Sequence, residues 1–565
     1  MTKRWRMARV DSGAADELAR AVGLSPVAAG MLIRRGYTDA DSAQAFLNPS
    51  LKDLPNPRAF TDMDRAVNRI LAAVDQKEPI AVYGDYDADG LTATALLCTM
   101  FRNMGITTVP YIPHRLEEGY GLNEKALEKL AQQGIKLVVT VDCGVSDHAA
   151  VEAARRLGMS IIVTDHHQLP PSLPRADAVV NPQRDGRNLR ILSGVGVAFF
   201  IAGGIRQALR ERGWSGPEIN LAPLLSLVAL GTVADVMPLT GVNRILVTMG
   251  LKHLASPPLP GLAALKKSTA VESEKHMTAR EVAFRLAPRL NAAGRMGSPQ
   301  PGLDLLLTDA QDQADVLAAE LESLNRERRR MQAETFKQAM GMIDPDDNGR
   351  TIVLAREGWS RGVVGLAASK LAELYRRPCI LLALEDGMAI GSGRSISGFN
   401  LFAALSQCRD LMVRFGGHEQ AAGLTLDPQN LPDLVKAFEE VAQREIDESI
   451  LIPILDIEAE VTLDDLQGGI MAELARLAPF GTGNPEPVLA LRNMQVVNAC
   501  AVGGQSHLKL CLSQNGRTLE TIGFGLGDVL PELGPRVRVA VTRHTSQYRG
   551  RVSHGWKVVD IQRED

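Results

Sequence analysis

With 565 residues, 62 Lys and Arg against 66 Asp and Glu, and a net charge of −4, the chain has length for roughly three or four domains but no global positive charge. Any nucleic-acid surface must therefore be a local patch. Aromatics are only 4%, which excludes broad stacking surfaces, and six cysteines without one Cys-x-x-Cys pair exclude a disulfide framework and a zinc knuckle and suit a reducing compartment.

The opening stretch "MTKRWRMARVDSGAADELAR" has no apolar h-region, and no apolar run reaches the roughly 18 residues of a membrane span. A cytoplasmic protein with no membrane partner is expected. Residues 1–50 read as a small helical extension. From residue 78, short β-branched runs alternate with helical segments: "IAVYG", "LTATALLCTMFRNMG", "TTVPYI", "NEKALEKLAQQG" with Asn123 as N-cap, "KLVVTVDCG", "DHAAVEAARRLG" and "SIIVTDHH". This pattern predicts an α/β domain over 51–313, its parallel sheet covered on both faces, with "VGVAFFIAGGIRQALRERG" and "LLSLVALGTVADVMPL" as further helices. Residues 314–340 lack Gly and Pro and carry Leu317, Leu321 and Leu324, which predicts a long helix within a connector ending at 345. A smaller α/β domain is expected over 346–452, its "GMAIGSGRSISG" read as a flexible glycine-rich loop. Beyond it, "SHLKLCLS", "LETIGFG" and "RVRVAVTRH" alternate with period two around an Asn-Gly turn, predicting an OB-fold-like β-barrel over 453–565.

In parallel α/β sheets, functional groups gather at the carboxyl ends of strands. Asp85, Asp87 and Asp89 in "YGDYDADG" follow one strand, Asp142 another, and Asp165-His166-His167 a third, while Asp235 stands alone in an apolar run. Any single one is commonly a helix cap or solvated turn. Adjacent strand residues point to opposite faces, so His166 and His167 need not converge. Asp235, however, needs a partner or a cation to offset its desolvation. The coincidence of carboxylates and imidazole at three strand ends suits Mn²⁺ or Mg²⁺, and their number suits two ions sharing a ligand.

The glycine loop, with Ser392, Gly393 and the guanidinium fork of Arg394, suits a phosphate group. Arg295 in "NAAGR" reads equally as a helix C-terminal salt bridge, and "NRERRR" as a solvated helix face. In 536–557, Arg536, Arg538, Arg543, Arg549 and Arg551 interleave with Tyr548 and Trp556 and no acid intervenes. A solvated strand face accounts for that as well as a DNA-binding surface of cations and stacking aromatics.

In their order and spacing, "DYDADG", "VDCG", "DHH" and "GTVADVMPL" resemble the four metal motifs of the DHH phosphoesterase superfamily. "GSGRSISGFNL" and "FGGHEQAAGLTL" resemble its DHHA1 domain, and "PRLNAAGRMG", "FGTGNPEPV" and the β-rich C-terminal region are similar to its single-strand-specific 5′→3′ exonuclease branch. The resemblance implies Asp87, Asp89, Asp142, His166 and Asp235 as ligands of two Mn²⁺ or Mg²⁺ ions, with Asp142 shared and Asp85 left open as a sixth. It implies His167 as the group facing the scissile phosphate, Asp165 as the residue orienting a histidine, and no covalent nucleophile. Ser392, Gly393, Arg394 and Arg295 would hold the 5′-phosphate, and His418 would line the cleft. Implied partners are single-stranded DNA, a single-stranded-DNA-binding protein and a DNA helicase, with a monomer acting in recombination and repair. A phosphodiesterase of short oligonucleotides or cyclic dinucleotides, a related pyrophosphatase and a catalytically silent strand binder stay open as alternatives.

Overall fold

Strand β1 (Arg4–Met7) pairs in parallel with Ile454–Ile457 at the far end of the chain, and the helices Ser12–Val22, Pro26–Arg34 and Ala40–Leu47 bury Leu18, Met31, Leu32 and Phe46 among residues of the C-terminal domain. The first fifty residues therefore share the core of the C-terminal unit and are not the separate helical extension expected. Helices of 11, 9 and 8 residues are too short to persist without a surface to bury against. The computed structural model describes residues 3–115, 118–269, 276–344, 346–548 and 551–564.

The first α/β domain is built as its apolar runs dictate. Strands β2 (Ile80–Gly84), β3 (Thr108–Tyr111), β4 (Leu137–Val141), β5 (Ser160–Thr164) and β6 (Ala178–Val180) form one parallel sheet in the order β3-β2-β4-β5-β6. Every residue of β2 and β4 is buried, so helices cover both faces. Asn123 caps its helix as expected, its Oδ1 accepting from the Ala126 N–H at 2.8 Å. The connecting helix runs Gln311–Met340; Ala314, Ala318 and Leu321 sit in the core of the first α/β domain, and Ala339 in that of the next domain.

That next domain holds β7 (Ile352–Glu357), β8 (Cys379–Glu385), β9 (Met388–Arg394), β10 (Arg414–His418) and β11 (Ala421–Leu426), ordered β10-β11-β9-β8-β7. "GSGR" is no flexible loop. It lies inside β9, bonded to β8 on one side and β11 on the other. Its glycines serve close strand approach, since a Cβ on Gly391 would sit 2.0 Å from the Leu381 carbonyl oxygen.

After the short β12 (Ile454–Ile457) and β13 (Ala459–Glu460), strands β14 (Leu489–Val502), β15 (His507–Gln514), β16 (Arg517–Gly523), β17 (Arg536–Tyr548) and β18 (Arg551–Arg563) close into a five-stranded barrel, because β14 pairs with both β15 and β17. The β15–β16 hairpin turns at Asn515 and Gly516, with φ of 51° and 79°, as an Asn-Gly type I′ turn requires. Among the described residues no helix is long and apolar enough to cross a membrane.

Deleting 453–565 alone should unpair β1 and expose Leu18, Met31 and Phe46, giving an aggregating product. Deleting 1–50 as well should restore a soluble, cooperatively melting fragment. Soluble yield and thermal melts of the two truncations check this.

Candidate metal centre and strand-binding cleft

Each expected ligand reaches the strand ends by its own local device. Asp87 caps the Ala88–Asn103 helix, its Oδ1 accepting from the N–H groups of Asp89 (2.9 Å) and Gly90 (3.2 Å). The same turn is pinned from outside by Asn291, whose Oδ1 accepts from the Ala88 N–H at 2.8 Å. Asp89 accepts from the first N–H groups of the Gly194–Glu211 helix, Gly194 at 2.6 Å and Val195 at 3.0 Å. Asp142 leaves β4 with φ of 63°, a left-handed conformation that costs about 1–3 kcal/mol for a residue with a side chain. Asp235 ends the helix Leu225–Ala234.

These devices bring all six expected ligands together. Donor atoms of Asp85, Asp87 and Asp142 lie within 4.8 Å of one another, as do those of Asp89, His166 and Asp235, and those of Asp142, His166 and His167. Asp142 and His166 each belong to two groups. His166 Nε2 is 3.1 Å from Asp142 Oδ1, 3.5 Å from Asp235 Oδ2 and 3.9 Å from Asp89 Oδ2.

Burial makes this arrangement a receptor for cations. Asp85 Oδ1, Asp142 Oδ1 and His166 Nε2 are buried and take no hydrogen bond. Burial first, and then the charge of His167, draws the His166 pKa down to about 4, so the ring is neutral and its unbonded Nε2 faces three carboxylates. Burial and then neighbouring aspartates push Asp89 up to about 7, Asp235 to about 9, and Asp85 and Asp142 well above the carboxylate range. Acceptors crowded without donors are what a divalent metal pair satisfies, so these residues fit Mn²⁺ or Mg²⁺.

His167 behaves oppositely. Burial disfavours its charge, but Asp165, Asp235 and Asp87 outweigh that and raise it to about 9. Asp165, itself only 1% exposed, cannot reach a substrate. It fixes His167 from behind, Oδ1 accepting from Nδ1 at 2.8 Å and from both histidine main-chain N–H groups. Tyr120 adds a second fastening, its Oη 3.0 Å from His167 Nδ1 and donating to the Asp142 carbonyl at 3.2 Å.

Beside this acidic centre stands a basic one. Ser392 and Arg394 project from the same face of β9, with Arg394 Nη1 donating to Ser392 Oγ at 2.5 Å. Gly365 on the Arg361–Tyr375 helix leaves room for both, since a Cβ there would lie 2.8 Å from Arg394 Nη2. Gly393 points to the opposite face, into Leu401 and Ile380, and offers nothing to a ligand. Arg295 reaches across to the same helix, Nη1 donating to the Gly362 carbonyl at 3.4 Å. Burial and the charges of Arg115, Arg328 and Arg394 draw Arg295 down to about 9. Among the described residues none of these four arginines pairs with a carboxylate, so the salt-bridge reading of Arg295 fails. His418 is exposed at the end of β10, opposite Ala421, which is opposite Arg394. Two strand spacings, about 10 Å, separate it from that arginine.

Arg115, Arg328, Tyr120 and Asn291 were not singled out from sequence. Arg115 and Tyr120 follow β3, where the strand-end rule applies to "HRLEEGYG" as it does to the aspartates. Arg328 is the inward member of "NRERRR"; Arg326 and Arg330 pair with Glu322 and Glu327 on the solvated face.

The barrel patch departs most from expectation. Trp556 is 7% exposed and belongs to the core, because alternation along β18 turns it inward. Arg538 is half-buried, donating to Gln562 and lying over the Trp5 ring, and Arg543 is half-buried against Met471. Arg536 is exposed; Arg549 and the side chains of Tyr548 and Arg551 lie outside the described residues. Among the described residues the barrel's exposed aromatic is instead Phe524, 49% accessible and held edge-on by His507 (5.3 Å) and His544 (5.5 Å). Arg280 of the catalytic domain, 5.2 Å over the exposed Phe284 ring, is close enough to depress His544, after burial and Lys557.

A parallel sheet whose strand ends converge aspartates and a DHH triplet, joined by a helix to a second domain that adds Arg394 to a group of unpaired arginines, defines a metal-dependent hydrolase of the DHH class. Residues 79–232 match the DHH family, N-terminal domain; residues 348–444 the DHHA1 domain; and residues 457–560 the RecJ OB domain. The chain belongs to the RecJ family. It is 36% identical to the single-stranded-DNA-specific exonuclease RecJ of Bacillus subtilis over 549 residues, covering 96% of this chain and 68% of that one. To the Escherichia coli protein of that name it is 36% identical, covering 92% and 93%. The crystal structure of RecJ in complex with Mn²⁺ from Thermus thermophilus matches with a TM-score of 0.86 at 30% identity, covering 100% of this chain and 80% of that one; the Mg²⁺ complex gives 0.80.

Protonated carboxyls do not ligate, so Mn²⁺ must displace protons held by Asp89 and Asp235. Mn²⁺ affinity should rise as pH climbs from 6 to 9, with net proton release in calorimetry across buffers of differing ionisation enthalpy. The metal-free protein should lose stability over the same range, because its raised Asp235 keeps a proton that the unfolded chain has lost. Asp235→Asn should flatten both slopes.

Proposed function

We propose that the protein hydrolyses single-stranded DNA from its 5′ end, releasing mononucleotides. The observation carrying this reading is the juxtaposition of an acceptor-only cluster with four unpaired arginines, which one DNA end supplied with metal would satisfy together. Asp85, Asp87, Asp89, Asp142, His166 and Asp235 would hold the ions, Asp142 belonging to two of the donor groups. When bound, the ions supply the Lewis acidity that phosphodiester hydrolysis needs.

The chain's own groups do the rest. Asp165 holds His167 through Nδ1–H and, in the metal-free protein, is the first of the carboxylates that raise its pKa; a proton on Nε2 would donate to a phosphoryl oxygen as charge develops. Arg394, Arg295 and Ser392 would take the terminal phosphate monoester, which carries more charge and one more acceptor than any internal diester. Fixing that end beside the metal centre makes cutting proceed 5′→3′. The trailing strand would stack on Phe524, a role that low aromatic content leaves to few residues. A monomer in the cytoplasm, working with a helicase and a single-stranded-DNA-binding protein in recombination and repair, completes the proposal.

His167→Ala should leave Mn²⁺ content intact and lower the rate 10²- to 10⁴-fold. Arg394→Ala should narrow the preference for 5′-phosphorylated over 5′-hydroxyl oligonucleotides in direct competition, and an unchanged ratio would sink the end-reading role. Phe524→Ala should weaken binding of long single strands about tenfold while sparing the cleavage of very short ones.

A further inference from the structure

The segment Leu477–Pro487, which contains "FGTGNPEP", belongs to the C-terminal unit by chain order but lies on the catalytic domain at a sensitive place. Asp235 ends its helix, Val236 turns with φ of 58°, and the loop to Thr240 has little structure of its own. The turn Gly481–Asn484 holds that loop. The Leu239 N–H donates to the Thr482 carbonyl at 2.8 Å. Gly483 comes so close that a Cβ would lie 3.1 Å from Pro238 Cβ, and one on Gly481 would lie 2.8 Å from Leu239 Cδ1.

The turn is itself preorganised and anchored. Asn484 Nδ2 donates to the carbonyls of Leu477 and Pro479, each at 2.8 Å, and Arg35 Nε donates to Asn484 Oδ1 at 2.9 Å. Arg244, five residues past the loop's Leu239, is 2% exposed and has no carboxylate partner among the described residues. It donates to the carbonyls of Phe46 (2.7 Å), Leu477 (3.1 Å) and Ala478 (2.7 Å), with its guanidinium 3.6 Å over the Phe46 ring. A buried cation satisfied by main-chain oxygens alone is a costly fastening, and it ties three distant chain segments at one point.

The turn carrying Asp87 is pinned by Asn291 of the catalytic domain, whereas Asp235, at a helix C-cap, is followed by a loop that a segment of the C-terminal unit holds. We infer that Arg244 and the Gly481–Asn484 turn are positioning groups for Asp235, so that docking of the C-terminal unit sets the metal affinity of the site Asp235 serves. This rests on the reading of Asp235 as a ligand. Supporting groups behind metal ligands are typically worth about 10- to 100-fold in metal affinity.

The test is Mn²⁺ titration of the full-length protein by calorimetry and electron paramagnetic resonance. Arg244→Met and, independently, Gly483→Val should each weaken one class of Mn²⁺ site about tenfold. Each should raise the Mn²⁺ needed for half-maximal cleavage, with the rate recovering at saturating Mn²⁺. In an Asp235→Asn background, Arg244→Met should add no further loss. Wild-type Mn²⁺ affinity in both variants, or an equal loss of affinity with and without Asp235, would overturn the inference and leave the turn an interdomain clasp. The cleavage reading stands or falls separately, on wild-type digestion of end-labelled strands.

Discussion

Carboxylates buried side by side repel one another, and this mutual repulsion is the constraint around which the molecule is organised. Asp85, Asp89, Asp142 and Asp235 are all driven toward their neutral forms by burial and by each other. Holding them there requires a rigid sheet, a left-handed turn at Asp142, helix N-termini under Asp87 and Asp89, and outside supports at Asn291 and the 481–484 turn. The domain spends its conformational stability on a site that is unfavourable until cations arrive, the usual signature of function placed on a scaffold.

The same logic runs with reversed sign a few residues away. Arg115, Arg295, Arg328 and Arg394 are half-buried and close enough to depress one another. Among the described residues no ion pair joins the two clusters, although Arg115 and Arg295 lie close enough to be felt by Asp85 and Asp87. A polyanion bearing divalent ions would complement both, whereas a neutral ligand would satisfy neither.

Much of this was legible in the sequence, for identifiable reasons. Fully buried parallel strands leave continuous apolar runs, and polar residues at their ends stand out against that background, so Asp142 and the DHH triplet were visible at once. The Asn515-Gly516 turn was legible because few pairs tolerate two positive φ angles. Three features were not. Glycine between small residues at 391–394 reads as a loop, though here it lets two strands approach closely. Trp556 among basic residues reads as a surface aromatic, but a one-residue step along a strand decides which face it takes, and composition does not record that step. The support given by Tyr120, Asn291 and Arg244 depends on tertiary contacts between segments far apart in the chain.

The pairing of β1 with β12 joins residues 450 positions apart. During synthesis at about 5–20 residues per second, the first strand and its three short helices must wait roughly 20–90 seconds for their partner to be made. Through that interval an unpaired strand edge and the apolar sides of Leu18, Met31 and Phe46 remain uncovered while the catalytic domain behind them can already fold. Vectorial folding therefore runs out of order in this chain. The beginning closes last, and a ribosome-side chaperone has a defined segment to protect.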